Sequence, residues 1–221
     1  MLELAGRLGP GSEIYGLDPS EDALEMLRAK IGLRGVANAY AVRGAGESMP
    51  FDNDYFDLVI SNNGLNNVED QEQVLKECRR VCRTGAQMVL TMNLPNTMIE
   101  FYDALREVLG RDEEHGSVKA MDAHIFSKRK PVEYLKELIL RCGFNILSIQ
   151  PEGFKYRFTC AQAFYDHYLI RNFFLPPWKD FLPRGKHEQI LLKTAGILDR
   201  EAADKGFIEI SVPFVCFDCR K

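Results

Sequence analysis

Apolar runs alternate with amphipathic segments along the first part of the chain. Residues 14–18 (Ile-Tyr-Gly-Leu-Asp) and 56–61 are nearly continuous apolar runs, which is typical of strands covered on both faces. In residues 20–30 and 69–83 the apolar positions recur with helical spacing. Because strands and helices alternate, the pattern predicts an α/β fold with a parallel sheet, flanking helices and right-handed crossovers.

Shorter signals complete this first part. Residues 37–42 and 86–92 are predicted to be strands. Pro19 and Ser20 suit the start of the helix over residues 20–30. Gly85 is predicted to end the helix over residues 69–83 as a glycine cap.

The pattern is looser in the second part of the chain, where residues 110–130 are polar and predict a mobile loop. Predicted helices cover residues 98–109, 131–142, 161–174 and 186–204, with a break at Pro176-Pro177. Predicted strands cover residues 144–149, with 154–158 as a continuation, and 207–217. This predicts a core over residues 1–150, a helical lid over 151–206 and a closing strand within 207–221.

Length and charge narrow the functional classes. A chain of 221 residues suits one domain with a core and an added lid. The net charge is −4 and the isoelectric point is about 5.7, which argues against a nucleic-acid partner. No apolar run is long enough to span a bilayer, and no signal peptide is visible. We therefore expect a cytoplasmic protein.

The six cysteines suggest no metal site. Cys216 and Cys219 form a C-x-x-C pattern, but positions three apart on a strand point to opposite faces. No second pair of this kind is present to complete a zinc site. Cys78 and Cys82 share one face of a predicted helix and are expected in the core.

Several short motifs follow one another in a characteristic order: Gly16-Leu17-Asp18, residues 46–51 (Gly-Glu-Ser-Met-Pro-Phe), residues 56–62, and residues 79–90. This order resembles class I S-adenosylmethionine-dependent methyltransferases, in the small-molecule branch that includes the ubiquinone/menaquinone methyltransferases. The resemblance covers about residues 5–95. It implies a Rossmann-like, mostly parallel sheet with an antiparallel closing strand, and S-adenosyl-L-methionine as cofactor.

The resemblance also implies which residues contact that cofactor: Asp18, Pro19, Ala45, Gly46, Glu47, Ser61 and Asn62. A carboxylate at the Asp18 position can accept hydrogen bonds from ribose hydroxyls, although the same residue can also serve as a turn or helix cap. Ala45 and Gly46 stand where the family commonly has Asp-Ala at the adenine edge, so Glu47 is the remaining carboxylate nearby. Ser61 and Asn62 match positions near the methionine part.

The family's glycine-rich strand–loop–helix is not recognisable before the Asp18 strand. Gly9-Pro10-Gly11 follows a helical segment and precedes a strand, so it is a connecting turn. Without a central strand, residues 14–18 and 56–61 would face each other across a gap with costly unpaired edges. We expect an N-terminally truncated fragment or mis-started product, and the alternative is a natural product that has lost catalysis.

Aromatic residues are dense between residues 150 and 207. They suit an apolar acceptor pocket or packing of the lid on the sheet: Phe154, Tyr156, Phe158, Phe164, Tyr165, Tyr168, Phe173, Phe174, Trp178 and Phe181. His124 and His167 are the candidate bases, and each could instead be a packed or surface histidine. Residues 128–130 (Lys-Arg-Lys) predict a solvated loop or a site for an anionic acceptor.

The chain is therefore predicted to be a methyltransferase acting on a small, partly apolar molecule. One alternative is an inactive relative that keeps the scaffold for binding or assembly. A second is an NAD-dependent Rossmann oxidoreductase, because Asp18 alone does not distinguish the two cofactors. The Phe56-Asp57 strand entry, the Gly85 turn and a closing strand weigh against the oxidoreductase. A homodimer is one way to cover the exposed sheet edge.

Overall fold

The computed structural model describes residues 1–221. The first part of the chain forms α1 (Leu2–Leu8), β1 (Ile14–Asp18), α2 (Glu21–Arg34), β2 (Ala39–Arg43), β3 (Phe56–Asn62), a 3-10 turn (Gly64–Asn66), α3 (Gln71–Val81) and β4 (Cys82–Asn93). The second part forms α4 (Ile99–Arg111), α5 (His115–Lys128), α6 (Val132–Arg141), β5 (Asn145–Phe158), α7 (Ala161–Asp166), a π-helical turn (Ile170–Phe174), α8 (Leu175–Phe181), α9 (His187–Lys205) and β6 (Ile208–Arg220).

The strands lie in two sheets. β1 and β2 form a parallel pair, and a four-stranded sheet has the order β3-β4-β6-β5. β3 and β4 are parallel, whereas β6 is antiparallel to both of its neighbours. The predicted α/β class with an antiparallel closing strand is confirmed. β1 and β3 are not hydrogen-bonded to each other, so the expected gap between them is present.

Aromatic contacts connect the two sheets at one end of this gap. The ring of Tyr15 on β1 lies 5.9 Å from that of Tyr55 and 5.7 Å from that of Phe56. The hydroxyls of Tyr15 and Tyr55 are 3.1 Å apart. Side chains rather than backbone hydrogen bonds therefore hold β1 against β3.

Local signals explain the helices that border the gap. Ser20 precedes α2, and its Oγ accepts a hydrogen bond from the N–H of Ala23. Asp70 precedes α3, and its carboxylate accepts from the N–H of Gln73 at 2.9 Å. These side chains satisfy backbone donors that have no partner within a helix.

The predicted glycine cap of α3 is wrong. α3 ends at Val81, and β4 begins at Cys82, before Gly85 is reached. The carbonyls of Arg80 and Val81 accept hydrogen bonds from the N–H groups of Asp54 and Tyr55 at 2.9 and 2.8 Å. Because these tertiary partners take up the carbonyls at the helix end, no glycine cap is needed there.

The predicted loop over residues 110–130 is also wrong, because α5 occupies most of it. α5 buries Met121 against the neighbouring helices, and Arg106 of α4 donates a hydrogen bond to Asp122 at 2.6 Å. One buried residue gives little periodic signal. Packing on α4, which is not visible in the local sequence, stabilises this helix.

Three further predictions differ in detail. The predicted helix over residues 161–174 is divided at His167 into α7 and the π-helical turn. Pro176 and Pro177 lie in the first turn of α8, where a missing N–H costs little. β5 is one continuous strand paired with β6 throughout, so residue 150 lies within a strand.

The apolar residues form two cores. The first contains residues of α3, α6, β4 and the second half of β6, with Cys78 and Cys82 buried as predicted. The second contains residues of α4, α5, α7–α9 and the start of β6. None of the helices combines the length and apolar character needed to cross a membrane.

Candidate functional site

A deep cleft lies in the gap between the two sheets. Its volume is about 1370 Å³. It is lined by every residue of β1 and by residues 57–62 of β3. Ligands of open α/β sheets bind at the carboxyl ends of the strands, and these two strands end at Asp18 and Asn62.

Asp18 lies half-buried at the end of β1 and lines this cleft. Its Oδ1 accepts a hydrogen bond from the backbone N–H of Ser20 at 2.8 Å. This contact fixes the carboxylate in the turn before α2, and Oδ2 accepts no hydrogen bond from the protein. The side chain can therefore stabilise the turn and still accept a hydrogen bond from a ligand.

The other predicted cofactor residues divide into two groups. Pro19, Gly46, Ser61 and Asn62 line the cleft together with Asp18, whereas Ala45 and Glu47 do not. Ala45 pairs with Ser48 in an isolated bridge. The carbonyl of Glu47 accepts a hydrogen bond from the Gln73 side chain at 3.1 Å.

Gly46 lines the cleft, and close packing also explains why this residue is a glycine. A Cβ at this residue would meet the side chain of Val74 on α3 at 3.2 Å. The absence of a side chain therefore lets the loop after β2 approach α3 closely. This contact helps to shape the wall of the cleft.

A second, smaller cavity lies beyond the end of β3, with a volume of about 320 Å³. Eleven of its 17 lining residues are hydrophobic, and no Asp, Glu, Lys or Arg lines it. The aromatic residues among them are Phe154, Tyr156, Phe158, Phe164, Phe174 and Phe214. The polar residues are Asn62, Asn63, Thr91, Asn93, Thr97 and His167.

Asn62 lines both the cleft and the smaller cavity. Its side-chain oxygen accepts a hydrogen bond from the hydroxyl of Thr91 at 2.6 Å. β4, which carries Thr91, pairs with β3 in parallel register at this point. The two cavities therefore adjoin at the carboxyl end of β3.

Asn63 has an unusual backbone conformation for a residue other than glycine, with φ of +57°. Its N–H donates a hydrogen bond to the carbonyl of Thr91 at 2.9 Å. Its side-chain oxygen is buried without a hydrogen-bond partner. Asn adopts this left-handed conformation more readily than most residues other than glycine.

The two candidate histidines have different surroundings. His167 lines the smaller cavity, and its ring lies 5.5 Å from that of Tyr156 and 5.6 Å from that of Phe158. Its Nδ1 is buried without a hydrogen-bond partner. His124 lies on α5 with its ring 5.5 Å from that of Phe181, and it lines neither cavity. Burial lowers the pKa of His124, and the charge of Arg129 lowers it further.

The prediction that residues 128–130 form a solvated loop is wrong for Arg129, which is buried. Its side chain is 5% exposed, and Nη1 donates hydrogen bonds to the Thr97 carbonyl and the Tyr102 hydroxyl, both at 3.3 Å. The guanidinium lies 5.5 Å from the ring centre of Tyr102 and 5.9 Å from that of Phe174. Because Thr97 and Phe174 line the smaller cavity, Arg129 supports its wall from behind.

The aromatic segment is divided between a cavity wall, the second core and the surface. Five of its members line the smaller cavity: Phe154, Tyr156, Phe158, Phe164 and Phe174. Trp178 instead packs in the second core, with its ring 4.0 Å from that of Phe101. Tyr168 and Phe173 are exposed.

Six further residues line the smaller cavity although the sequence did not predict them. They are the polar residues Asn63, Thr91 and Asn93 and the β6 residues Ile210, Val212 and Phe214. The strand-end rule could have found Asn93, which is the last residue of β4. No local signal indicates which β6 side chains face the cavity.

The chain is similar in sequence to known methyltransferases. Residues 1–90 match the family described as "Methyltransferase domain". A demethylmenaquinone methyltransferase of Geobacillus kaustophilus (strain HTA426) is 31% identical over 164 residues, which cover 69% of each chain. A demethylmenaquinone methyltransferase of Geobacillus stearothermophilus is 36% identical over 164 residues, with the same coverage.

Solved structures share the fold. The YcgJ protein of Bacillus subtilis has a TM-score of 0.57 at 16% identity, covering 95% of this chain and 82% of its own. A phosphoethanolamine N-methyltransferase 2 of Haemonchus contortus, solved with S-adenosyl-L-methionine, has a TM-score of 0.55 at 16% identity and covers 100% of this chain and 45% of its own. The similarities to known proteins favour neither of the two alternative predictions, an inactive scaffold protein or an NAD-dependent oxidoreductase. The chain belongs to the family of S-adenosyl-L-methionine-dependent methyltransferases.

Proposed function

We propose that this protein transfers a methyl group from S-adenosyl-L-methionine to a small, apolar, ring-containing acceptor. The cleft between β1 and β3 would hold the donor, and the smaller aromatic cavity would hold the acceptor. The observation that carries the proposal is that Asn62 lines both cavities. Methyl transfer needs donor and acceptor aligned next to each other.

The residues of the cleft fit the donor. Asp18 has a carboxylate oxygen available for hydroxyl groups, and Gly46 gives backbone access at the same end. We assign the donor site to Asp18, Pro19, Gly46, Ser61 and Asn62. Ala45 and Glu47 would act only through the backbone of their loop.

The residues of the smaller cavity fit an apolar acceptor. A volume of about 320 Å³ lies at the small end of the range for ligand pockets, and the walls are aromatic. The relatives from Geobacillus are named for demethylmenaquinone, and this name agrees with an apolar acceptor. The absence of charged lining residues disfavours a free amino acid or a phosphate ester, each of which would need charged partners.

The protein's contribution to the reaction follows from these positions. When bound, S-adenosyl-L-methionine supplies a methyl group attached to a positively charged sulfur. Asp18 at the end of β1 would hold the donor, Asn62 at the end of β3 lies where the two sites adjoin, and the aromatic walls would exclude water. For an acceptor that reacts through a hydroxyl oxygen, the ring of His167 takes up the hydroxyl proton.

The helical segment over residues 151–206 is assigned as a lid on a core of residues 1–150 and 207–221. Its support is that Phe158, Phe164, His167 and Phe174 close one side of the smaller cavity. β5 belongs to both parts, since it is one strand from Asn145 to Phe158. The cytoplasmic location, the absence of a nucleic-acid partner and the homodimer stay predictions.

The test is transfer of radiolabel from methyl-labelled S-adenosyl-L-methionine to 1-naphthol. We expect labelled product with the wild type and a loss of product with Val212→Phe, because the added ring fills the smaller cavity. Leu192→Phe, at an exposed apolar position on α9, is the matched control and should retain activity. Full activity of Val212→Phe would contradict the acceptor assignment, and a wild type that binds donor but labels no naphthol would contradict the acceptor class.

A further inference from the structure

Exposed apolar side chains lie at the mouth of the smaller cavity. Phe154 and Leu169 line the cavity and are also 47% and 41% exposed, so they lie at its opening. Tyr168 and Phe173 adjoin Leu169 and are 66% and 60% exposed, with their rings 6.0 Å apart. We call these four residues the apolar rim. Contiguous exposed apolar residues around an apolar pocket mark an interaction surface.

The segment that carries most of the rim is basic, although the chain as a whole is acidic. Residues 168–186 contain four basic residues and one acidic residue, whereas the net charge of the chain is −4. Lys186 pairs with Glu114 at 2.6 Å. Arg171, Lys179 and Arg184 are exposed and form no ion pair. Three cations of this segment therefore have no acidic partner.

The rim and these cations are close along one short segment. Arg171 lies within the π-helical turn, between Leu169 and Phe173. Lys179 lies in α8, which follows that turn directly, and Arg184 lies just beyond α8. Aromatic rings flanked by unpaired cations are the composition of segments that lie in the interface of an anionic bilayer.

We propose that the apolar rim docks on the surface of a bilayer that contains anionic phospholipids. Tyr168 and Phe173 would enter the interface, and Arg171, Lys179 and Arg184 would contact lipid phosphates. The mouth of the smaller cavity would then face the membrane. An apolar acceptor dissolved in the bilayer could enter the cavity without crossing water, which is costly for an apolar molecule.

The lipid surface is favoured over a protein partner for two reasons. The unpaired cations match a continuous anionic surface, and the rim lies at the opening of a cavity rather than forming a closed apolar face. A second copy of the chain would bring the same basic segments together, which like-charge repulsion disfavours. The proposal does not depend on the chemistry of methyl transfer, because docking requires neither donor nor acceptor.

The test is co-sedimentation of the full chain with vesicles of phosphatidylcholine alone and with about 30 mol% phosphatidylglycerol. We expect binding to the anionic vesicles that weakens as salt is raised. Tyr168→Ser/Phe173→Ser should reduce the partition coefficient at least about tenfold. Arg171→Gln/Arg184→Gln should reduce it about twenty-fivefold, at about fivefold for each charge.

Leu33→Ser/Arg34→Gln is the matched control, since it removes one exposed apolar residue and one unpaired exposed arginine from α2. It should bind like the wild type. All these positions are exposed, and unchanged thermal melting by circular dichroism would show that the variants fold. Absence of wild-type binding, equal binding by the rim variants, or an equal loss in the α2 control would overturn the proposal. Rim-dependent self-association in sedimentation velocity without vesicle binding would also overturn it.

Discussion

Two polar atoms in residues that line the smaller cavity have no hydrogen-bond partner. They are the side-chain oxygen of Asn63 and Nδ1 of His167, and both are buried. Buried polar atoms are almost always paired in folded proteins, because an unpaired one costs free energy. Both residues line the smaller cavity, which is the proposed acceptor site. Each atom is therefore available to a hydrogen-bond partner supplied by a bound molecule.

At the scale of single residues, the proposed role of His167 predicts a change in the rate of methyl transfer. If its ring accepts a proton from a hydroxyl acceptor, His167→Ala should lower kcat for 1-naphthol by about 10²–10⁴ while binding of S-adenosylhomocysteine is unchanged. Added imidazole should restore part of the rate. His115→Ala, at an exposed position on α5, is the control. Unchanged kcat, or loss without rescue together with weaker donor binding, would assign His167 a structural role only.

Arg129 should contribute to stability through its buried contacts. Arg129→Met keeps an apolar stem but leaves the Thr97 carbonyl and the Tyr102 hydroxyl without this donor and removes two cation–π contacts. We expect a loss of about 2–4 kcal/mol in the free energy of unfolding, measured by urea denaturation. Lys128→Met, at the exposed neighbouring position, should change it by less than about 0.5 kcal/mol. Equal effects of the two substitutions would contradict this account.

At the scale of elements, the ends of β3 and β4 and the start of α3 together shape the site. α3 packs against the loop that carries Gly46, through Val74. The entry to α3 is fixed by Asp70, which accepts a hydrogen bond from the N–H of Gln73. Loss of this cap should therefore loosen the helix that supports the cleft.

Asp70→Ala should reduce the free energy of unfolding by about 1 kcal/mol, because one backbone donor of α3 loses its partner. Glu69→Ala changes the exposed preceding residue, which forms no hydrogen bond with its side chain, and should have little effect. Chemical denaturation of both variants measures the difference. A larger loss for Glu69→Ala than for Asp70→Ala would contradict the assigned cap.

The elements that the sequence predicts well are those whose own pattern is strong. β1 and β3 form where apolar runs predict strands, and α3 buries one regular stripe. The expectation that β1 and β3 are covered on both faces is wrong, because both strands line the open cleft and none of their residues is buried. α5 could not be predicted, because a single buried residue, Met121, faces the core. α5 is stabilised by contacts with α4 and α8, which the sequence of α5 itself does not indicate.

The residues of the candidate site divide in the same way, into those that a local pattern predicts and those that depend on tertiary pairing. The positions of Asp18, Ser61 and Asn62 at the cleft could be predicted, because the carboxyl ends of the strands of an open α/β sheet border one crevice. Val212 and Phe214 could not, because β6 pairs with β4 and β5 over long sequence separations. The smaller cavity depends on that antiparallel register, which fixes the side chains that face inward.

At the scale of the whole molecule, β6 connects the two cores. Ile208 and Ile210 at its start lie in the second core, and Val215, Phe217 and Cys219 lie in the first. β5 pairs with β6 along this entire length. Ile210, Val212 and Phe214 of β6 line the smaller cavity where the two cores meet, so the β5–β6 pair fixes one wall of that cavity.

Burial predicts which of the six cysteine thiols react in the folded protein. Burial raises the pKa of Cys78 and of Cys219 to about 12 and that of Cys82 to about 11, and it also raises the pKa of Cys142. These four thiols should react with Ellman's reagent only after denaturation, because the thiolate is the reactive form. Cys160 is half-buried and should react in the folded protein. Cys216 is also half-buried, but burial raises its pKa, so it should react more slowly than Cys160. Rapid reaction of all six without denaturant would contradict the described packing.

The most direct test of the account is isothermal titration of the full chain with S-adenosylhomocysteine, comparing wild type, Asp18→Asn and Asp22→Asn. Asp18 lines the cleft, whereas Asp22 is exposed in the first turn of α2. We predict binding at one site, weakened about ten- to hundredfold by Asp18→Asn, because a hydrogen bond to a charged group contributes about 1.5–3 kcal/mol, and unchanged by Asp22→Asn. Absence of binding to the folded wild type, or equal affinity of Asp18→Asn, would contradict the assignment of the cleft as the donor site.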